Sequence, residues 1–295
     1  MTDTDIDLTI PEGWTEGDVA VNGVRLHYYR SGGAGRPLVV AHGITADGRS
    51  RIPLVEPLAD EYDVVTYDAR GHGRSAAPDG GYTYSDMAAD LVGLVDALGL
   101  AGPDADPDPV LYGHSMGGTA VAVAAAENPA LPHAVVLEDP ELLLPLDGET
   151  DDADDAPGDE SDDVDVSAMI ERIRGRPAPS REALLTADSE LQALVDAGRE
   201  RLATLLADAY LDVDAAVEGV LAAERVDPAD VFPEIEAPTL ILKADADPES
   251  RTRHREAASH LPDGRLVHVD GAGHCVLREE PDRALEIIEE FLDER

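Results

Sequence analysis

The sequence predicts an α/β fold, with a mostly parallel central sheet flanked by helices and an inserted helical cap. Three observations carry this reading. Short, largely apolar runs rich in β-branched residues alternate with longer amphipathic helical stretches, the pattern of βαβ crossovers. Several of these runs lack polar alternation, as expected of strands covered on both faces. The alternation is interrupted once, by residues 141–231, where an acidic stretch precedes helical periodicity. The core is therefore expected over 12–140 and 232–295, with 141–231 as an acidic loop and helical cap inserted over the strand ends.

The elements follow in order. Runs 18–21 and 24–30 are joined by Asn22-Gly23, the strongest short hairpin signal, so an antiparallel pair should open the sheet. Strands are expected at 37–41, 63–67, 110–112, 133–138, 239–243 and 265–269. Helices are expected at 50–60, 84–98, 119–127, 249–261 and 283–292, with Met87, Leu91, Leu94, Val95 and Leu98 forming one apolar face of the second. Residues 147–165 are dominated by Asp and Glu and should form a solvated loop. Their spacing does not fit a calcium loop, which requires Gly at its sixth position and Glu at its twelfth. Residues 166–231 read as helical, with breaks near Pro177 to Pro179 and at Asp227-Pro228.

Composition limits the possible functions. The 295 residues suit one large domain or one carrying an insertion. Aliphatic and alanine side chains must fill the core, because only 4% of residues are aromatic. There are 63 acidic against 22 basic residues, a net charge of −41, and Lys243 is the only lysine. Self-repulsion on this scale opposes compaction in dilute buffer but is screened at molar salt, where the Debye length is about 3 Å. The bias therefore reads as adaptation to a salt-rich cytoplasm, and the source as a halophile. Nucleic acid is disfavoured as a ligand on the same electrostatic grounds. Cys275 is the only cysteine, so no internal disulfide framework is possible. The acidic start of the chain has neither a basic nor an apolar leader pattern, and no run approaches the roughly 20 apolar residues of a membrane span. The expectation is a cytoplasmic protein with no membrane association; oligomeric state is open.

The chemistry centres on residues 109–127. An apolar run ends in Gly113-His-Ser115-Met-Gly117, and an alanine-rich helical stretch follows. This is G-x-S-x-G between strand and helix, a turn so sharp that side chains at Gly113 and Gly117 would collide with their surroundings. Ser115 Oγ would then stand at the end of the sheet as a candidate nucleophile. A hydroxyl is a poor nucleophile near neutral pH and needs an adjacent base. The backbone N–H of Met116, opening the helix, is free to stabilise an anion. Of nine histidines, His274 sits in a glycine-flanked loop after a strand and is the candidate base. Cys275 beside it reads as a small packing residue.

Four motifs together resemble the α/β-hydrolase superfamily: His42-Gly43, Asp68-Ala-Arg-Gly-His-Gly-Arg-Ser75, Gly113 to Gly117, and Gly271-Ala-Gly-His274 with Glu280-Pro281. The resemblance covers nearly the whole chain outside the cap. It implies Ser115 as nucleophile, His274 as base and the N–H of Ile44 as the second oxyanion donor. Lys243-Ala-Asp-Ala-Asp247-Pro is similar to the family's strand followed by G-x-x-D, with Ala244 in place of the glycine. Asp247 is therefore favoured as the orienting acid; Asp139, after the preceding strand, and Asp245 are the alternatives. The implied reaction is hydrolysis of a carboxylic ester or lactone on a small molecule, needing no cofactor or metal. An acyltransferase, a cofactor-free haloperoxidase or perhydrolase, and a non-catalytic ligand-binding protein are the other readings. The charge bias makes one prediction independent of activity. The melting temperature should rise between low and molar KCl, and calorimetry showing no rise would remove the halophile reading.

Overall fold

The computed structural model describes residues 8–102, 107–143 and 180–295. Its strands are β1 (Thr15–Val21), β2 (Val24–Arg30), β3 (Arg36–Ala41), β4 (Tyr62–Tyr67), β5 (Val110–His114), β6 (Ala134–Glu138), β7 (Thr239–Lys243) and β8 (Gly264–His268). They form one sheet in the order β1-β2-β4-β3-β5-β6-β7-β8. β1, β2 and β4 pair antiparallel, and every pairing from β4 to β8 is parallel. The hairpin forms because Asn22 and Gly23 both take positive φ, 45° and 75°, as its two-residue turn requires.

The helices of the first half are α1 (Gly48–Val55), α2 (Tyr84–Ala97) and α3 (Met116–Glu127). Asp47 caps α1 through a reciprocal pairing with Ser50, so this helix begins before the expected residue 50. Glu56–Asp60 tightens into a 3₁₀ turn, since Pro57 has no N–H to continue the ladder. Thr83 and Asp86 cap α2 in the same reciprocal way. α3 also starts earlier than the expected residue 119, because the turn at Ser115 feeds directly into it.

Strand alternation divides the core into two layers. Val39, Val65, Leu111, Leu137 and Ile241 face one side with Met87, Leu91, Leu94 and Val95 of α2. Leu38, Val40, Val64, Tyr112, Val136 and Leu240 face the other side. The second half supplies α4 (Arg181–Ala187), α5 (Ser189–Asp196), α6 (Glu200–Leu211), α7 (Glu218–Leu221), α8 (Pro228–Val231), α9 (Pro248–Ala258), α10 (Val276–Glu279) and α11 (Pro281–Asp293). Ala284, Ile287, Ile288 and Phe291 of α11 pack into the second layer.

Residues 180–231 are built onto both layers. Leu184, Leu191, Leu194, Leu202 and Ala207 join the layer of α11, whereas Val213, Val217 and Val220 join that of α2. Leu184 and Leu205 are buried, and Tyr210 packs half-buried beside the second layer. The acidic stretch 147–165, the breaks near Pro177 to Pro179 and Met169 lie outside the described residues. Among the described residues, no helix is long and apolar enough to cross a membrane.

Phe291 is fully buried in this second layer. Phe291→Ala leaves a cavity that flanking α-helix and strand residues fill only in part, and is expected to cost about 3–5 kcal/mol. Urea unfolding in molar KCl measures it; a loss under about 1 kcal/mol would mean that α11 contributes little to the core.

Candidate active site

The strand ends bring the chemistry-bearing residues together. After β5 the chain turns so sharply that Ser115 adopts φ 53° and ψ −119°. Strain of this kind persists only where neighbours over-determine it. The Ser115 N–H donates to Glu138 O at 3.0 Å, and the N–H groups of Thr119 and Glu141 donate to Ser115 O at 3.0 and 3.2 Å. The glycines leave room for the turn. A Cβ on Gly117 would lie 2.6 Å from the carbonyl oxygens of Ala41 and His42, and one on Gly113 would collide with the Gly117 carbonyl.

His274 lies in the loop between β8 and α10. Its Nε2 is 2.9 Å from Ser115 Oγ, and its Nδ1 is 2.5 Å from Asp139 Oδ2. A carboxylate can only accept, so Nδ1 carries the proton and Nε2 accepts from the serine hydroxyl. Three groups hold this loop. His114 donates from Nε2 to His274 O at 3.1 Å, and Glu279 accepts from the N–H groups of Gly273 and Cys275 at 2.6 and 3.1 Å. Asp245 accepts from the Gly271 N–H at 3.1 Å. Burial pushes the His114 ring down to about 3, so it is a neutral prop. Burial pushes the Cys275 thiol up to about 12, which keeps it protonated.

The carboxylate facing the imidazole is Asp139, not the favoured Asp247. Asp247 is exposed and caps α9, accepting from the N–H groups of Glu249 and Ser250 at 2.7 and 3.1 Å. Asp-Pro at a helix start is a capping signal, with the acid at N-cap and proline at the first helical position. Asp245 is exposed as well; besides Gly271 it pairs with Arg251 at 2.6 Å. Asp139 is held differently. It follows β6 with φ 39°, a left-handed conformation that Asp tolerates better than most residues. Its other oxygen, Oδ1, lies 2.5 Å from Lys243 Nζ, and only 3% of either side chain is exposed. Burial alone would raise this carboxyl. The Lys243 charge and then the His274 hydrogen bond outweigh burial and hold it well below the usual carboxylate range.

Two backbone donors complete the arrangement. The N–H groups of Met116, the first residue of α3, and Ile44, after β3, have no acceptor among the described residues. The Ile44 loop is fixed from within. The Ala69 N–H donates to His42 Nε2 at 2.9 Å, which leaves His42 Nδ1–H to donate to Gly43 O at 2.8 Å. His72 Nε2 lies 2.9 Å from Ile44 O. Asp68 and Ser75 bind their own loop: Asp68 accepts from the N–H groups of Gly48 and Arg74, each at 2.8 Å, and Ser75 donates to Asp68 O at 2.5 Å. The chemistry available is proton transfer from a serine hydroxyl to an oriented imidazole, beside two donors for an oxyanion. Among the described residues, no group of three or more His, Cys, Asp or Glu side chains could hold a metal ion.

Sequence reasoning left Glu138 and Lys243 without these roles. Glu138 is fully buried, accepts from Arg51 Nη2 at 2.6 Å and from the Tyr112 hydroxyl, and takes the Leu277 N–H at 2.7 Å. The signal for Glu138 was an acid ending an otherwise apolar strand; for Lys243 it was the single lysine at a strand end. Burial would raise the Glu138 carboxyl, but the Arg51 charge prevails and lowers it to about 2. A folded-state value below the unfolded one means that the native form binds fewer protons as pH falls. This contribution to stability is present above about pH 4.5 and is lost as pH falls through about 2. Glu138→Gln should cost about 3 kcal/mol near neutrality, since Arg51 keeps its charge without a carboxylate partner. Its stability should fall less steeply than wild type over that acid window; parallel acid slopes by circular dichroism would contradict the assignment.

Comparisons with known proteins agree with this architecture. A profile described as the Alpha/beta hydrolase family matches residues 38–287. The chain is 30% identical over 269 residues to 2-(acetamidomethylene)succinate hydrolase of Mesorhizobium japonicum, covering 90% of each chain. It is 29% identical over 286 residues to N-formylmaleamate deformylase of Pseudomonas putida, covering 94% of this chain and 96% of that one. Among solved structures, a thermophilic esterase from Thermogutta terrifontis superposes with a TM-score of 0.70 at 26% identity, over 95% of this chain and 98% of that one. An esterase from Rhodococcus sp. reaches 0.74 at 24% identity with the same coverages, a likeness of fold. The eight-stranded sheet, the match over most of its length and the full-length relatives lead to one conclusion: this chain belongs to the α/β-hydrolase family.

Proposed function

We propose that the protein is a serine hydrolase that cleaves a small carboxylic ester or lactone through an acyl-enzyme on Ser115. The observation that carries this is the continuous hydrogen-bonded series Ser115 Oγ, His274 Nε2, His274 Nδ1, Asp139 Oδ2, at 2.9 and 2.5 Å. In this reading Ser115 Oγ bonds to the acyl carbon as His274 Nε2 takes its proton, and Asp139 stabilises the imidazolium. The carbonyl π pair moves onto oxygen, where the Met116 and Ile44 amides stabilise it by about 3–4 kcal/mol each. Collapse expels the leaving oxygen, which takes the proton from His274. Water, deprotonated by the same imidazole, then releases the acid and restores Ser115. The insertion over the strand ends would shape the acyl site.

A second reading, cleavage of an acyl–nitrogen bond by the same steps, is favoured by the two full-length relatives. Their names describe an acetamido and an N-formyl compound. Assays of p-nitrophenyl acetate against N-acetyl and N-formyl amides of small carboxylic acids, in molar KCl, discriminate between the two.

The residue assignment is tested separately. Ser115→Ala and Asp139→Asn are each expected to lower kcat at least about a thousandfold. Asp247→Asn should stay within about twofold of wild type, because Asn caps a helix as well as Asp does. Full activity in Ser115→Ala would end the serine mechanism. A larger loss in Asp247→Asn than in Asp139→Asn would return the acid to β7.

A further inference from the structure

The position of the only lysine is informative in a chain whose other basic residues are 21 arginines. At the end of β7 the chain keeps Lys243 and buries it, with its ammonium on the Asp139 oxygen that His274 does not use. The carboxylate is thereby divided. One oxygen takes the imidazole Nδ1–H; the other takes a full cation and, at 3.3 Å, the Ala244 N–H. An arginine fork matches both oxygens of a carboxylate at once, whereas an ammonium is a compact point charge. With one oxygen committed to His274, the compact cation suits the remaining space.

We propose that Lys243 is a positioning residue that sets the working pH of Ser115 and His274, by keeping a second positive charge on the carboxylate that orients the base. The proposal rests on the reading of Ser115 as nucleophile and His274 as base. A proton on His274 Nε2 would place two cations on one carboxylate, and the Lys243 ammonium repels that added charge. A purely structural clamp is not needed at this point. The Asp139 N–H already donates to Leu242 O at 2.7 Å, and the Val269 N–H donates to Lys243 O at 2.9 Å.

The other titratable groups around the pair bring no further cation onto Asp139. His254 of α9 and His268 of β8 lie on the far side, 3.0 Å apart, Nδ1 to Nε2. Burial and then the Lys243 charge push His254 down to about 3; burial, then Arg251 and Lys243, lower His268. Arg251 of α9 is committed to Asp245 and Asp270. On the near side Glu138 of β6 is matched by Arg51 of α1, His114 of β5 is neutral, and Glu279 of α10 caps the His274 loop. Neutral or paired neighbours cannot replace the ammonium.

The test is the pH profile of kcat/KM for p-nitrophenyl acetate in molar KCl, for wild type, Lys243→Met, Lys243→Gln and Lys243→Arg, with Ser115→Ala as control. The acid limb of the Met and Gln variants should lie about one pH unit or more above that of wild type. The arginine variant, which keeps the charge but not the compact fit, should move the acid limb by less than half as much as either uncharged variant. Folded Met or Gln variants whose acid limb is unmoved, with a uniform loss of rate, overturn the proposal. It is also overturned if neither uncharged variant folds while Lys243→Arg does, because Lys243 then serves stability alone. Wild-type rates in Ser115→Ala bring down the reading of Ser115 itself, and this proposal with it, so the two failures are told apart.

Discussion

The Glu138 carboxylate is the constraint on which the rest of the site depends. It ends β6 with no exposed surface and binds three separate elements: Arg51 of α1, Tyr112 of β5 and the Leu277 N–H of α10. A charge taken fully out of water is tolerable only if every lone pair finds a partner. Each partner therefore has little freedom to move. One residue after Tyr112 lies Gly113, which opens the turn to Ser115, and three residues before Leu277 lies His274. Glu138 also accepts the Ser115 N–H through its own carbonyl and is followed at once by Asp139. Ser115, His274 and Asp139 are thus each within a few residues of Glu138 or of one of its partners.

The strained residues then follow from this frame. Ser115 and Asp139 both take positive φ, and both stand immediately after a strand of the adjacent pair β5 and β6. In each case the backbone must leave the sheet at once to project a side chain over its edge. The left-handed turn does this, at a local cost of about 1–3 kcal/mol. Flanking glycines accommodate the turn at Ser115. At Asp139 the N–H bond to Leu242 O holds it in place.

Much of the fold was legible because hydrophobic periodicity is a local signal. β2 and β7 have the expected limits, and most other elements differ only at their ends, where capping by Asp47 or the elbow at Ser115 moves the boundary. The acid was harder to read because two Asp-Pro dipeptides look alike along the chain. Asp247-Pro248 opens a helix and Asp139-Pro140 leaves a strand, but the difference lies in φ, −62° against 39°, and in which neighbour arrives. The neighbour of Asp139 is Lys243, more than a hundred residues away in sequence. No local pattern reports such a pairing. Ala244 in place of the usual glycine was the one sign that the loop after β7 differs from the family pattern.

The distribution of charge separates what salt governs from what it does not. The excess of acids is spread through the chain, and at molar salt interactions between exposed charges fade beyond about 3 Å. Arg51, Arg70 and Lys243 lie on the other side of that divide. Each is at most 4% exposed and sits within 2.6 Å of one buried carboxylate oxygen, on Glu138, Asp90 and Asp139 respectively. Counterions do not reach these pairs, so the electrostatics of the site stay nearly constant while those of the surface change with salt. A chain with few cations has placed three of them where ionic strength cannot weaken them. That arrangement lets a strongly acidic surface coexist with a site whose protonation is set by fixed internal charges.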